Sequence, residues 1–266
     1  MASSYPWIVD YLAYSINNYG KVHEEHFVIA KDTIKTIMFD VFGTVFDWHK
    51  SITHECSVFA DKNNLTFNFS TFANNWRKGF RALQAQVANG QREYLSMDSI
   101  HLEVLDHLLL DLNIKSIPDK EKTELNQTWH RLDTWEDVKQ GLYDLKEDHV
   151  ITTLSNGNYA ILLDLSKYAG LPWDCILSTE LFGTYKPDPR VYLGAMNLVD
   201  SKPEETLMVA AHAYDLDAAK STGMKTCYVH RPNEFGNGKG ENSGDTARFD
   251  LTVASFVEIR DSINQQ

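Results

Sequence analysis

Apolar and polar residues follow two different patterns along this chain, and the first is a short apolar run at residues 34–39. The run is interrupted only by Lys35 and Thr36, and it ends at Asp40, with Gly43 three residues further on. A short apolar run that is bounded by a turn is typical of a buried strand in a parallel sheet. Ligands of such sheets bind beyond the carboxyl ends of the strands, so the pattern places Asp40 at a candidate site.

The second pattern is helical and fills the chain from the end of this strand to about residue 132. Apolar residues recur there at steps of three and four, which predicts consecutive helices. The predicted helices cover residues 51–64, 69–89, 97–112 and 118–130. Because strand patterns do not interrupt them, they predict a helical cap inserted over the crevice at the end of the first strand.

From about residue 135, strand patterns and helix patterns alternate. The predicted strands cover residues 149–154, 175–178, 206–210, 226–229 and 249–253, and the predicted helices cover 136–146, 159–169, 190–198, 215–222 and the C-terminal segment. Strands that alternate with helices form parallel sheets with right-handed crossovers. The predicted fold class is therefore α/β, with a Rossmann-like parallel sheet core and an inserted four-helix cap subdomain.

These patterns divide the chain into an N-terminal extension (1–33), a core domain (34–48 and 133–266) and a cap domain (49–132). Residues 232–246 are rich in Gly and Asn and predict a surface loop. Residues 23–26 in the extension, His-Glu-Glu-His, suggest a metal site, but a solvated turn or helix face is the more common role of such a patch without further ligands.

The composition is that of a globular protein, with 43% hydrophobic and 23% charged residues. The 25 Lys and Arg residues against 37 Asp and Glu residues give a formal net charge of −12, which argues against nucleic acid or an anionic membrane surface as a partner. An anionic substrate would therefore need cations placed locally, so each Lys and Arg near the motifs matters.

The cysteines and the chain ends point to an ordinary intracellular protein. Cys56, Cys175 and Cys227 are widely spaced and odd in number, so we expect reduced thiols rather than a disulfide framework or a zinc site. The sequence contains no apolar run of about 18 residues, so we predict no membrane span. The N-terminus lacks the basic and apolar regions of a secretory signal. We therefore expect a cytoplasmic location and no membrane partner.

The segment from Asp40 to Thr44 resembles the first motif of the haloacid dehalogenase superfamily, Asp-x-x-x-Thr after a hydrophobic strand. The resemblance implies that Asp40 is a nucleophile. Phosphatases of that superfamily carry a general acid two positions after the nucleophile, and Phe42 stands there in this chain. A leaving halide needs no proton, so the segment is similar to the L-2-haloacid dehalogenase branch. The alternative is an ordinary strand-to-loop turn in which Asp40 is only a cap.

Two later strand ends carry residues in the order that the same family has. Ser155 and Asn156 match residues that bind the substrate carboxylate and the halide, although a serine there is also a common helix cap. Lys186 precedes a proline, as the superfamily's lysine does, and its charge would keep Asp40 ionised. Tyr192 matches a site tyrosine of the dehalogenases, and a core aromatic on a helix face is the alternative.

The third strand end departs from the phosphatase pattern. Ala210, Ala211 and His212 stand where phosphatases bind magnesium, and Asp40 with Asp215 alone makes a poor set of Mg²⁺ ligands. We therefore expect a site without metal and without a cofactor. The resemblance makes Asp215 the acid that activates the hydrolytic water. His212 either positions or deprotonates that water, or is a histidine satisfied by hydrogen bonds at a strand end.

The second predicted helix contributes an arginine to the resemblance. Arg77 follows Trp76, as the halide-binding arginine of the dehalogenases follows a tryptophan, and a surface arginine is the alternative. Phe42, Trp48 and Tyr214 would supply aromatic walls that exclude water.

The resemblance runs from about residue 34 to about residue 253. It implies hydrolytic dehalogenation of short-chain 2-haloalkanoic acids to 2-hydroxy acids through an ester on Asp40, without metal. The implied partner is a small-molecule 2-halocarboxylic acid, and the related dehalogenases are commonly homodimers. Two alternatives remain open: a magnesium-dependent phosphatase of the same superfamily, and a non-catalytic binding protein that kept the fold.

Overall fold

A parallel sheet of six strands forms the centre of the protein, for which a computed structural model describes residues 34–238 and 240–265. The strands are β1 (Thr36–Phe39), β2 (Val150–Ser155), β3 (Cys175–Ser178), β4 (Thr206–Ala210), β5 (Lys225–Val229) and β6 (Leu251–Val253). Their order in the sheet is β3-β2-β1-β4-β5-β6. Since β1 lies between β2 and β4, Asp40 leaves the sheet near its middle.

The segment between β1 and the rest of the sheet forms a helical cap. It contains α1 (Trp48–Asn63), α2 (Phe69–Ala88), α3 (Met97–Asp111) and α4 (Asp119–Asn126), followed by a 3₁₀ turn, Gln127–His130. Helix α1 begins earlier than predicted because the side chain of Asp47 accepts a hydrogen bond from the backbone N of Lys50 at 3.1 Å and caps it. The predicted α/β class with an inserted four-helix cap is confirmed.

Helices cover both faces of the sheet. They are α5 (Val138–Lys146), α6 (Tyr159–Ala169), α7 (Pro189–Leu198), α8 (Ala213–Ser221) and α9 (Ile259–Asn264). Ile37 and Phe39 of β1 pack into one part of the core, with α5, α6 and α9, whereas Met38 packs into the other, with α7 and α8. Because both faces of β1 are buried, its sequence is an almost continuous apolar run rather than an alternation of apolar and polar residues.

Three sequence predictions differ from the structure in detail. Helix α8 begins at Ala213 rather than at residue 215, which places Asp215 in its first turn. The last strand begins at Leu251 because a 3₁₀ turn, Thr246–Arg248, precedes it. The prediction of a surface loop at residues 232–246 is wrong at Glu234, whose exposure is only 1%.

The N-terminal extension, with its His-Glu-Glu-His patch, lies outside the described residues. Among the helices that the structure describes, none is long and apolar enough to cross a membrane.

His130, at the end of the cap segment, joins the cap to the core. Its Nε2 lies 2.9 Å from Asp98 Oδ1 on α3, and its Nδ1 lies 2.7 Å from Asp164 Oδ2 on α6. Asp98 also accepts a hydrogen bond from Asn158 Nδ2 at 2.9 Å, just before α6. Burial opposes the charged form of His130, but the hydrogen bonds with the two aspartates outweigh burial and raise its pKa above the ordinary value of 6.5.

We predict that His130→Gln destabilises the protein more at pH 6 than at pH 9. A raised pKa in the folded state means that the stabilisation is complete below about pH 6.5 and is lost as pH rises through the folded-state pKa. The expected loss at pH 6 is about 1 kcal/mol in the free energy of unfolding, measured by urea denaturation. The exposed His54 provides a matched control, His54→Gln, for which we expect a change of no more than about 0.5 kcal/mol in the free energy of unfolding. A loss that grows with pH would contradict the prediction.

Candidate active site

Asp40 is the residue on which the polar side chains of the crevice converge. It follows β1 directly and is 7% exposed. Its Oδ1 accepts a hydrogen bond from Lys186 Nζ at 3.0 Å, and its Oδ2 accepts one from Thr44 Oγ1 at 2.7 Å. The Thr44 hydroxyl oxygen accepts from the backbone N of Ala211 at 2.9 Å. That contact leaves the hydroxyl hydrogen of Thr44 for Asp40, so both carboxylate oxygens are fixed.

Charge interactions keep this carboxylate ionised. Burial alone would raise the pKa of Asp40, but the charge of Lys186 and the hydrogen bond from His212 outweigh burial and hold that pKa well below its usual range. Burial alone would lower the pKa of Lys186, but the carboxylates of Asp215 and Asp40 raise it above its usual range. The crevice therefore holds an ionised carboxylate in direct contact with a protonated amine.

Asp215 lies in the first turn of α8 and is fully buried. Its Oδ2 accepts a hydrogen bond from Lys186 Nζ, and its Oδ1 accepts one from the hydroxyl of Tyr192 at 2.6 Å. Burial raises the pKa of Asp215, and the charge of Lys186 opposes that effect. Tyr192 is itself fully buried on α7, so its hydroxyl holds Asp215 from inside the core.

His212 lies between two carboxylates. Its Nδ1 is 2.9 Å from Asp40 Oδ2, and its Nε2 is 3.0 Å from Glu234 Oε1. Burial alone would lower the pKa of His212, but Glu234 and Asp40 raise it well above the ordinary value. Both ring nitrogens therefore have carboxylate partners, an arrangement that favours the doubly protonated imidazolium, which can donate to both.

Arg77 of α2 is buried among aromatic rings. It is 7% exposed, and its guanidinium carbon lies 5.9 Å from the ring centroids of Phe42 and Trp48 and 5.7 Å from that of Phe80. Its Nη2 approaches the carbonyl oxygen of Phe42 at 3.5 Å. This arginine therefore reaches from the cap to the loop that carries Asp40.

Ser155 and Asn156 lie at the end of β2, on the same edge of the sheet as Asp40. The Ser155 hydroxyl oxygen accepts a hydrogen bond from the backbone N of Gly157 at 3.1 Å. The Asn156 Oδ1 accepts one from the backbone N of Lys186 at 2.9 Å, which fixes the orientation of the Asn156 amide. Both side chains are buried, and neither lines the open cleft beside Lys186.

An open cleft of about 520 Å³ leads towards this cluster. One wall is α2, with Arg81 and Gln84, and the other is the segment after Lys186, with Tyr214 beside it. Tyr214 stacks beneath Arg81, whose guanidinium carbon is 4.9 Å from the ring centroid, and Gln84 Nε2 donates to the carbonyl of Lys186 at 3.1 Å. The cleft therefore lies between the cap and the core.

The carboxylates of the crevice do not fit a magnesium site. Asp40 and Asp215 are both paired with Lys186 Nζ, and Ala210, Ala211 and His212 supply no side-chain oxygen beside them. Mg²⁺ requires near-octahedral oxygen ligands, and Phe42 supplies none at the position of a phosphatase's second aspartate. Across the described residues, no three His, Cys, Asp or Glu side chains are grouped to hold a metal ion.

Sequence reasoning missed Glu234 and Glu241, because both lie in the segment that composition identified as a surface loop. Glu241 Oε1 pairs with Arg81 Nη1 at 3.0 Å, and Glu241 Oε2 lies 3.7 Å from His212 Nε2. A useful signal was present, since the two glutamates lie in a Gly- and Asn-rich segment that follows β5. Parallel strands deliver their following loops to the active edge of the sheet.

The fold is that of a known class of enzyme. A sequence model of the haloacid dehalogenase-like hydrolases matches residues 34–223. The chain therefore belongs to the haloacid dehalogenase-like hydrolase family.

Several relatives lie in one branch of that family. The (S)-2-haloacid dehalogenase of Pseudomonas sp. strain YL is 28% identical over 236 residues, which are 86% of this chain and 95% of the relative. Among solved structures, a defluorinating L-2-haloacid dehalogenase superposes with a TM-score of 0.84 at 33% identity, over 86% of this chain and 95% of that one. Another L-2-haloacid dehalogenase superposes with a TM-score of 0.83 at 35% identity, over 88% of this chain and 100% of that one. The resemblance to this branch is confirmed.

We predict that Lys186→Met destabilises the protein by about 3–5 kcal/mol at pH 8, because removing one partner leaves buried carboxylates uncompensated. The loss should be smaller at pH 5. With the ammonium gone, the pKa of Asp40 or Asp215 rises in the folded state, and a raised carboxyl pKa costs stability as pH increases. Urea denaturation at the two pH values measures both effects.

Lys35→Met is the matched control, since Lys35 forms an exposed ion pair with Glu205 at 2.7 Å. We expect it to change the free energy of unfolding by no more than about 0.5 kcal/mol. Adding Asp215→Asn to Lys186→Met should recover part of the lost stability. Equal stability of Lys186→Met and the wild type would refute the buried charge cluster.

Proposed function

We propose that this protein hydrolyses the carbon–halogen bond of short-chain 2-haloalkanoic acids to give 2-hydroxy acids, through an ester on Asp40 and without a metal ion. The observation that carries the proposal is the environment of Asp40. This carboxylate is ionised and fixed at the end of the central strand, and Phe42 takes the place of the general acid that a leaving alkoxide needs. The dehalogenase names of the relatives support the same substrate class.

In the first step, Asp40 Oδ1 attacks the carbon that bears the halogen. The new C–O bond forms as the C–halogen bond breaks, the halide leaves with the bonding electron pair, and the carbon is inverted. Oδ1 has one donor, Lys186, whereas Oδ2 is held by Thr44 and His212, so Oδ1 is the freer nucleophile.

The departing halide is received by Arg77, with help from the Asn156 amide. A guanidinium keeps its charge at any working pH, and its position among aromatic rings excludes water that would weaken the interaction. The substrate carboxylate binds to the Ser155 hydroxyl and to backbone amides near Phe42. The cleft beside Gln84 and Tyr214 provides the route from solvent.

In the second step, water attacks the Asp40 carbonyl carbon and Asp215 takes a proton from it. The tetrahedral intermediate then breaks the bond between the carbonyl carbon and Oδ1. Lys186 protonates the leaving alkoxide at Oδ1 and regains its proton from Asp215, which contacts it directly. The products are the 2-hydroxy acid and an Asp40 that has gained one oxygen from water. The second water proton leaves to solvent as Asp40 ionises again.

We predict that a single turnover in ¹⁸O-water, with enzyme in excess over 2-chloropropionate, places the label in Asp40 and not in lactate. The product oxygen is the old Oδ1, so the label should be found in the Asp40 peptide by mass spectrometry. Label that appears directly in lactate would rule out the ester.

We also predict that Asp40→Asn lowers halide release by at least about 10⁴-fold, the scale of removing a nucleophile.

We predict that EDTA leaves halide release unchanged, because no step of the proposed reaction uses a cation. The assay compares chloro-, bromo- and fluoroacetate and both enantiomers of 2-chloropropionate with and without EDTA. A phosphate ester with added Mg²⁺ serves as the opposing assay. Halide release that requires Mg²⁺, or phosphate release in its place, would favour the phosphatase alternative. Binding of haloacids with no halide release would favour a non-catalytic binding protein.

A further inference from the structure

Three buried side chains, those of Asp40, His212 and Glu234, lie in a line. Of these, the proposed reaction changes bonds only at Asp40. Asp40 Oδ2 lies 2.9 Å from His212 Nδ1, and His212 Nε2 lies 3.0 Å from Glu234 Oε1. The exposure of both His212 and Glu234 is 1%. Glu234 therefore does not face the substrate cleft, and it is in contact with Asp40 only through the imidazole ring.

The protein fixes Glu234 in this place with contacts from the loop after β1 and from α1. Trp48 Nε1 donates to Glu234 Oε1 at 3.1 Å. The carboxylate also lies directly over Gly43, where a Cβ would come within 2.2 Å of Glu234 Oε1. Gly43 has φ +91°, which glycine adopts without strain. The turn that carries the nucleophile thus leaves space for this glutamate.

The two carboxylate contacts of His212 affect its protonation state during the reaction. With a carboxylate oxygen near each nitrogen, the ring is stabilised as the doubly protonated imidazolium, so neither nitrogen is free to accept a proton from water. The prediction that His212 deprotonates the water is therefore disfavoured in the resting site. What the ring does offer is a charged N–H that points at Asp40 Oδ2.

We infer that Glu234 is a positioning residue that holds His212 as a charged donor to Asp40 Oδ2, so that His212 and Thr44 together form the oxyanion site for hydrolysis of the aspartyl ester. This inference rests on the proposed function. After alkylation at Oδ1, Oδ2 is the carbonyl oxygen of the ester. When water adds to the carbonyl carbon, the π electron pair moves onto Oδ2, where two fixed donors receive the negative charge.

The two steps of the reaction make different demands on His212. In the first step, Asp40 loses negative charge, so a cationic donor at Oδ2 lowers the rate of its attack on the substrate carbon. In the second step, charge returns to the same oxygen, and the donor accelerates the reaction. The Glu234 carboxylate keeps the proton on His212 while Asp40 is a neutral ester and no longer stabilises the imidazolium itself. Loss of Glu234 should therefore slow the second step selectively.

The experiment uses Glu234→Gln, which keeps the shape of the side chain and removes its charge. Rapid-quench turnover of 2-chloropropionate should still release about one equivalent of chloride per site in an initial burst. Ester hydrolysis should slow on the order of 10²-fold, the lower range for the loss of one oxyanion donor. The Asp40 ester should then accumulate and appear as a mass increase of the intact protein. A merely structural glutamate would weaken both steps together.

The pH profile of ester hydrolysis provides a second readout. In the wild type, we expect a flat profile between pH 6 and pH 8. In Glu234→Gln, hydrolysis should fall as pH rises, because His212 then lacks the Glu234 charge that raises its pKa while Asp40 is a neutral ester. The charged and titratable groups that face His212 are Asp40, Glu234, Glu241 and Tyr214, and the nearest cations, Lys186 and Arg81, pair with Asp40 and Glu241. Among them, the pKa of Tyr214 is raised, so it does not titrate in this range.

Glu241→Gln is the matched control. Its carboxylate is in the same loop, but its Oε2 is 3.7 Å from His212 Nε2, beyond hydrogen-bonding distance, and its Oε1 pairs with Arg81. We expect no accumulated ester in this variant. Ester accumulation in Glu241→Gln equal to that in Glu234→Gln would overturn the assignment, since it would reflect net charge alone.

A measurement on the wild type keeps the inference testable if Glu234→Gln does not fold. In protein labelled with ¹⁵N-histidine, both His212 nitrogens should carry protons at pH 8, with His212→Asn identifying the signal. A neutral His212 at that pH, or a Glu234→Gln variant whose ester turns over at the wild-type rate, would overturn the inference. Failure of the wild type to release halide from any haloacid would instead remove the proposed function itself.

Discussion

The contact of one buried ammonium with two buried carboxylates is the constraint on which the rest of this site depends. Lys186 Nζ contacts Asp40 and Asp215, and all three side chains are nearly or fully excluded from solvent. A buried charge without a partner is costly, so each member requires the other two. The strand ends must therefore meet with little freedom. The sheet achieves this because Phe39 of β1 pairs with Val209 of β4, which sets the two chain segments that carry the carboxylates side by side.

The same cluster bears on the two reactions considered for this fold. Lys186 stands where the superfamily has its lysine, so its charge alone does not distinguish a dehalogenase from a phosphatase. The difference from the phosphatase pattern lies in the oxygen ligands, because Phe42 stands at the position of the second aspartate, and Ala210, Ala211 and His212 stand where phosphatases bind magnesium. The proposal of metal-free attack on a carbon–halogen bond therefore rests on these positions and not on the lysine.

Much of the fold was predictable because the local patterns agree with the tertiary structure. The apolar run of β1, the cap helices and the alternating strands all follow from periodicity. Periodicity also placed Asp40 directly after β1, whereas Lys186 and Asp215, which lie in the segments after β3 and β4, were expected only from the family resemblance. Glu234 was not, because its burial depends on a space above Gly43 and on Trp48, and neither contact has a local signal. The orientation of Tyr192 towards Asp215 likewise depends on how α7 packs on α8, which the sequence of either helix alone does not specify.

The loop after β5 shows how composition misleads in such a case. Its glycines and asparagines suggested a surface loop, yet Gly240 packs so closely that a Cβ would lie 2.7 Å from the carbonyl oxygen of Arg231. The loop also contacts the cap, since Asn74 Nδ2 donates to the carbonyl of Phe235 at 3.3 Å and Arg81 pairs with Glu241. Gly240 thus permits a close approach between two backbone segments. The loop after β5 therefore contacts both the cap and His212. It links the position of the cap to the charged groups of the crevice.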